Sequence, residues 1–177
     1  MNNGFAVIDF ETTGLHPEQG DRAIQLAIIT TDHAGEIQNK WVSYINPEGK
    51  RSHPDAARTH RINNRILHNS PKFKELYPII LNKILNRTLV AHSIDFDMSF
   101  LILETERSGL KLPQLKTFCT KAHAFQALPQ LTSSSLQSCL QAIHKTNHHP
   151  HDALSDAEAT LELLKYYLKA NPELINR

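Results

Sequence analysis

Phe5-Ala6-Val7-Ile8-Asp9-Phe10-Glu11, running into Thr12-Thr13-Gly14, is an apolar stretch that ends in two acids. Its length and its Val, Ile and Phe content predict a central β-strand covered on both faces, with a break at Gly14. Alternate side chains of a strand leave the same face, so Asp9 and Glu11 point together. Two carboxylates side by side at the end of a buried strand repel each other and lose hydration. Something positive must compensate, or one of them takes up a proton. The alternative is that the strand stops here and both acids reach water.

Working outward, residues 23–29 form a second apolar run broken only by Gln25. Asp32-His33-Ala34-Gly35 is a turn, and residues 36–45 are a third strand with Ile37, Trp41 and Ile45 on one parity. From Pro54 the pattern turns helical. Leu76, Ile80 and Ile84 recur at helical spacing behind Ser70-Pro71, a predicted N-cap and first helical residue, with Pro78 inside the run. Residues 88–91 are a short apolar strand. Phe96, Phe100 and Leu103 form a helical stripe that Gly109 stops. Residues 115–119 read as a fifth strand, and residues 133–143 and 152–168 as the last helices. Strands followed by helices and further isolated strands predict an α/β fold with a mixed sheet.

At 177 residues the chain is expected to form a single domain. Hydrophobic residues make up 40% and charged residues 21%, ordinary globular usage that argues against disorder. The net charge of +1 excludes a strongly basic DNA-coating protein, while leaving room for a local basic patch. Cys119 and Cys139 are too few for a disulfide scaffold, which points to a reduced, cytoplasmic protein. No apolar stretch approaches the roughly 20 residues that span a bilayer, so no membrane association is expected.

Two further acidic sites follow. Ala91-His92-Ser93-Ile94-Asp95-Phe96-Asp97 sets a strand end, a turn and a helix start around two acids. Asp95 suits a helix cap, and Asp97, one helical step of about 100° from Phe96, looks toward the rim of the sheet. In His151-Asp152-Ala153-Leu154-Ser155-Asp156-Ala157, the five-residue separation puts His151 and Asp156 on different helical faces. They converge only if His151 stands on the loop before the helix.

Asp9-Phe10-Glu11-Thr12-Thr13-Gly14, Ala91-His92 through Phe96-Asp97, and His151-x-Ala153-Leu154-x-Asp156-Ala157 occur in an order and spacing that resembles the three motifs of the DEDDh 3′–5′ exonucleases. That family includes the proofreading epsilon subunit of bacterial DNA polymerase III, ribonuclease T and oligoribonuclease. The resemblance covers nearly the whole chain, from Phe5 to about Leu168. It implies a ribonuclease H-like fold, a five-stranded mixed sheet flanked by helices. It also implies metal-binding roles for Asp9, Glu11, Asp97 and Asp156, and a general-base role for His151. The cofactor so implied is a pair of Mg²⁺ or Mn²⁺ ions, since oxygen ligands suit hard cations. An imidazole is a suitable proton acceptor near neutral pH.

By the same resemblance, the backbone of Thr12 and Thr13, with Gly14, meets the terminal nucleotide. Leu15 wedges beside the last base, and His60 and His92 contact substrate. The implied activity is removal of 5′-nucleoside monophosphates from the 3′ end of single-stranded or frayed DNA. The alternative is RNA trimming of the ribonuclease T or oligoribonuclease type. An inactive 3′-end-binding module would be expected to lose an acid or the base, and none is lost.

Thr12-Thr13 after Glu11 is nearer the proofreading type. Gln25, where an acid is frequent, and Ser93, where Asn is frequent, depart from it. Association with a DNA polymerase is a candidate partnership, but the chain ends soon after the last helix, which favours a free-standing enzyme. No oligomeric state is encoded in any recognisable pattern. Lys50, Arg51, Arg58, Arg61 and Arg65, with His53 and His60 interleaved, form a basic patch. It either tracks a phosphate backbone or is a solvated helical face. His144 and His148 have metal-like spacing, but no close cysteine pair completes a zinc site.

Overall fold

In the computed structural model, which describes residues 3–175, the apolar runs become one sheet. Strands β1 (Phe5–Thr12), β2 (Ala23–Thr31) and β3 (Ile37–Tyr44) form an antiparallel meander. Strands β4 (Thr88–Ala91) and β5 (Lys116–Cys119) add on parallel to β1, giving the order β3-β2-β1-β4-β5. The helices are α1 (Pro54–His60), α2 (Asn64–His68), α3 (Phe73–Ile84), α4 (Ile94–Arg107), α5 (Ala124–Ala127), α6 (Leu136–Ala142) and α7 (Ala153–Ala170). The expected five-stranded mixed sheet flanked by helices is what the chain forms.

The alternation of β1 divides the core. Phe5 and Val7 face α6 and α7, packing with Leu140, Leu161, Leu164 and Tyr167. Ala6, Ile8 and Phe10 face α3 and α4, packing with Ile80, Ile84, Phe100 and Leu101. Asp9 and Glu11 continue the parity of Val7 and so emerge toward α7. α4 stops at a Schellman motif: Gly109 takes a left-handed φ of 70°, its N–H reaches Glu106 O at 2.9 Å, and Leu110 N–H reaches Thr105 O at 3.0 Å.

Three local expectations are corrected. α3 begins at Phe73 with Lys72 at the N-cap. The Ser70 hydroxyl is already engaged by the Ile66 carbonyl at 2.8 Å, and the Glu75 carboxylate takes the Lys72 N–H at 2.7 Å. Trp41 in β3 and Ile45 just after the strand are sheltered, but Ile37 is 44% exposed. A bulge explains this: Thr30 faces Asn39 while Thr31 faces Ile37, so the extra residue Gln38 shifts the alternation by one. At α4 the cap position belongs to Ser93, and Asp95 lies exposed in the first turn.

A buried ion pair fastens the β1–β2 connection to α4. Glu104 is fully buried and accepts from Arg22 Nε at 2.7 Å, Arg22 Nη2 at 2.9 Å and the Ala23 N–H at 3.1 Å. Replacing one member of such a pair strands the other, at about 3–5 kcal/mol. Glu104→Leu is therefore expected to lower unfolding stability in urea titration toward the lower end of that range, because the buried Ala23 N–H loses its acceptor while Arg22 keeps Glu48 at 3.1 Å.

Candidate active site

Three elements end at the same rim. β1 delivers Asp9 and Glu11, the first turn of α4 delivers Asp97, and α7 with the loop before it delivers Asp156 and His151. Asp152 caps α7, its carboxylate accepting the Ser155 N–H at 3.1 Å, which fixes where the helix starts. His151 therefore stands on the loop, with a left-handed φ of 67°. Its N–H donates to Asp156 Oδ2 at 3.0 Å. Asp97 is buried, and its Oδ1 accepts the Phe10 N–H at 3.2 Å, tying α4 to the end of β1.

Asp9, Glu11, Thr12, Gly14, Leu15, His60, His151 and Asp156 all line one cleft of about 520 Å³. Ligand atoms of Glu11, His151 and Asp156 lie within 4.8 Å of one another. Thr13 is fully buried beneath the cleft: its hydroxyl accepts the Arg22 N–H at 2.9 Å and donates to Asp21 at 3.3 Å. The Thr12 hydroxyl donates to the Gly14 carbonyl at 2.6 Å. A Cβ on Gly14 would come within 2.3 Å of Asp21 Oδ2 and 2.5 Å of His53 Cδ2, so a side chain here would have to push aside the buried Asp21 carboxylate and the His53 ring. Leu15 projects from the rim with 70% of its surface exposed.

His60 and His92 differ in their surroundings. His60 lines the cleft, its Nδ1 accepting the Ile62 N–H at 2.9 Å. His92 lies outside the cleft lining, with both ring nitrogens engaged. Nε2–H donates to the Ser134 carbonyl at 2.9 Å, and Nδ1 accepts from the Thr120 hydroxyl at 2.9 Å. Burial pushes its pKa down to about 4, so the ring is neutral.

The cluster is electrostatically unsatisfied. Burial, reinforced by the charges of Asp97, Asp156 and Glu11, holds Asp9 well above the usual carboxylate range. Burial, then Asp156 and Asp152, raises Glu11 to about 8. Asp97 is raised by burial, against the opposing pull of the Phe10 N–H. Asp156 is raised by burial although the His151 N–H stabilises its charge. Among the described residues no Lys or Arg pairs with any of these four acids. An oxygen-rich, uncompensated anionic set of this kind fits hard divalent cations.

Several participants carry no motif-level signal. Asn147 donates to Asp156 and accepts from the Ser155 hydroxyl at 2.8 Å. Gln25, opposite Glu11 in the sheet, accepts the Ala153 N–H at 3.3 Å and donates to Asp152 at 3.5 Å, joining β2 to the start of α7. Phe96 forms part of the cleft wall. Its place in the apolar stripe marks it in the sequence only as a core residue.

The sheet is ribonuclease H-like, and the acid-lined cleft at the end of its central strand is the candidate hydrolase site. A family model described as an exonuclease, RNase_T, matches residues 6–164, and the chain belongs to that family. The family generally uses divalent metal ions. Among relatives, the chain is 30% identical over 165 residues to the 3′-5′ exonuclease DinG of Bacillus subtilis, covering 91% of this chain and 18% of that protein. It is 30% identical over 178 residues to the DNA polymerase III subunit epsilon of Treponema pallidum, covering 97% of this chain and 81% of that protein.

Among solved structures, E. coli exonuclease I in complex with a dT13 oligonucleotide superposes with a TM-score of 0.86 at 20% identity, over 99% of this chain and 43% of that one. A 3′-exonuclease that recognises the histone mRNA stem-loop superposes with a TM-score of 0.82 at 17% identity, over 96% of this chain and 65% of that one. These two likenesses concern the fold alone. Among the described residues no helix is long and apolar enough to cross a membrane.

The acid cluster has a consequence for stability. The Glu11 carboxyl, ordinarily near 4.5, is raised to about 8 in the fold. Below 4.5 it is protonated in both states and its burial as a neutral acid is unopposed; as pH rises the unfolded chain ionises first and folding loses ground, until the group ionises in the fold near 8. In EDTA, the melting temperature is expected to fall between these two pH values. Glu11→Gln should flatten that fall, and its advantage over the parent chain should be greatest at the alkaline end, as read by thermal unfolding at stepped pH.

Proposed function

We propose that the chain is a metal-dependent 3′–5′ exonuclease that hydrolyses the 3′-terminal phosphodiester of DNA, at single-stranded or frayed ends, releasing 5′-nucleoside monophosphates. The observation that carries this reading is that Glu11, Asp156 and His151 bring ligand atoms within 4.8 Å of one another, with Asp9 in the same cleft and Asp97 buried behind it, close enough for its charge to act on Asp9 and Glu11. The names of the two 30%-identical relatives, a 3′-5′ exonuclease and a DNA polymerase subunit, support polarity and DNA as substrate. The second of them makes association with a polymerase a candidate partnership.

The chemistry divides among the residues. Asp9, Glu11, Asp97 and Asp156 would hold two Mg²⁺ or Mn²⁺ ions, which supply charge neutralisation for the phosphate and for the oxygens that enter and leave. His151, exposed on its loop, accepts the proton of the attacking water. Asp156 holds the His151 backbone at 3.0 Å, so base and acid keep a fixed relation. The Thr12–Gly14 hydrogen bond stiffens the turn that meets the terminal nucleotide. Leu15, exposed at the rim, packs against the last base, and the walls at His60 and Phe96 bound the sugar and base. His92, with both nitrogens engaged, acts on this site by holding the Ser134 segment to β4 rather than by touching substrate.

Asp9→Ala and Asp156→Ala should abolish metal-dependent release of mononucleotides while leaving the fold intact by circular dichroism. His151→Ala is expected to lower kcat by about 10²–10⁴-fold, the usual contribution of a positioned acid or base. End-labelled DNA and RNA oligomers of matched sequence, with and without EDTA, test the whole assignment. The expected result is shortening from the 3′ end of DNA, faster on a single strand than on a blunt duplex and absent in EDTA. Faster shortening of RNA would make the enzyme an exoribonuclease, and endonucleolytic cuts would overturn the proposal.

A further inference from the structure

A second cleft, of about 510 Å³, lies beside the acidic one. Its walls are the loop between β3 and α1, through Asn46, Gly49, Lys50 and Arg51, and helix α2, through Asn64 and His68. The two clefts are built from one continuous segment. Lys50 and Arg51 line the second, and His53, Asp55 and Ala56, immediately after them, line the first.

The structure sorts the basic patch of the sequence into paired and unpaired charges. Arg58 is tied to Asp55. Lys50 reaches Asp21 in the acidic cleft at 3.2 Å. Glu48, the acid nearest in sequence to the second cleft, is held by Arg22 at 3.1 Å and Lys72 at 2.8 Å, so it does not neutralise the cations there. Arg51, Arg61 and Arg65 are exposed, and among the described residues no acid pairs with any of them. The Asn64 carboxamide is likewise exposed, and no carboxylate among the described residues lines this cleft. A groove whose lining offers the unpaired Arg51 and the Asn64 amide, with no acid in it and a wall shared with a site for a chain end, is complementary to phosphate.

We propose that this groove binds the phosphodiester backbone of the single strand whose 3′ end occupies the acidic cleft, through Arg51 in the groove and Arg65 on the helix that carries Asn64 and His68. This rests on the reading of the acidic cleft as a 3′-exonuclease site. It adds where the rest of the substrate lies. The contacts are to phosphate, so the groove confers affinity that grows with strand length and is indifferent to base sequence.

The test is binding without hydrolysis, measured by fluorescence anisotropy in EDTA with labelled oligothymidylates of three and twelve nucleotides. The longer strand is expected to bind the wild-type protein at least about tenfold more tightly, with a salt slope that reports the phosphates engaged. The double variant Arg51→Glu/Arg65→Glu should lose that gain, and its slope should shrink by about 0.7 for each phosphate no longer engaged. Arg51→Lys/Arg65→Lys should retain most of it. Lys111→Glu/Lys116→Glu makes the same change in net charge outside both clefts and should leave the length dependence in place. Wild-type affinity and slope in the double reversal, with an unchanged melting temperature, would overturn the groove. So would an equal loss in the Lys111/Lys116 control, which would reduce the effect to net charge. A protein that shows the expected binding pattern yet shortens no 3′ end would overturn the exonuclease reading and leave the groove standing.

Discussion

Burial of several carboxylates together at the end of one strand, where lost hydration is the larger cost and mutual repulsion adds to it, is the constraint around which this molecule is organised. Asp9 and Glu11 leave β1 on the parity of Val7, and the fold then brings Asp97 and Asp156 to the same place. Left alone, such a set is destabilising: burial first, and then the neighbouring charges of Asp156 and Asp152, raise the pKa of Glu11. The surrounding structure resists it with neutral hydrogen bonds: the Phe10 N–H to Asp97, the His151 N–H and Asn147 to Asp156, and the Gln25 amide to Asp152. Cationic side chains are kept one layer further out, with Arg22 on Glu104 and Lys50 on Asp21. The arrangement leaves the innermost negative charge to be balanced from outside the chain.

How much of this was legible in the sequence depended on whether the information was local. β1, β2 and β4 announce themselves as short apolar runs, and the expected helix at 152–168 matches α7 closely because Asp152 is a cap with an apolar stripe behind it. The convergence of the acids was accessible only through order and spacing of motifs, since each alone reads as a solvated carboxylate. What escaped was set by distant partners. Arg22 and Glu104 are 82 residues apart, and neither has a local reason to be buried. The Gln38 bulge reverses the parity of Ile37 without any residue type that marks it. The start of α3 shifts from Ser70-Pro71 because the Ser70 hydroxyl finds the Ile66 carbonyl first. Gln25, which the pattern of related sequences marks as a departure, proves to be a strut between β2 and α7.

The net charge of +1 conceals a strongly polarised surface. An uncompensated acidic rim and a groove without carboxylates among the described residues are separated by a few residues of the β3–α1 loop. Lys50 spans that boundary by reaching into the acidic side. Overall composition therefore says little about what the molecule binds, because attraction and repulsion for a polyanion are distributed over neighbouring walls.

The backbone at residue 151 decides where the imidazole stands. A left-handed φ of 67° is uncommon for a residue with a side chain, and histidine, with asparagine and aspartate, is among the types that adopt it most readily. The chain carries an imidazole there, at the junction between a loop and a helix whose cap is already provided by Asp152. The backbone there turns away from the helix before Asp152 caps it, and that turn is what leaves the imidazole on the loop side of the junction, beside Asp156.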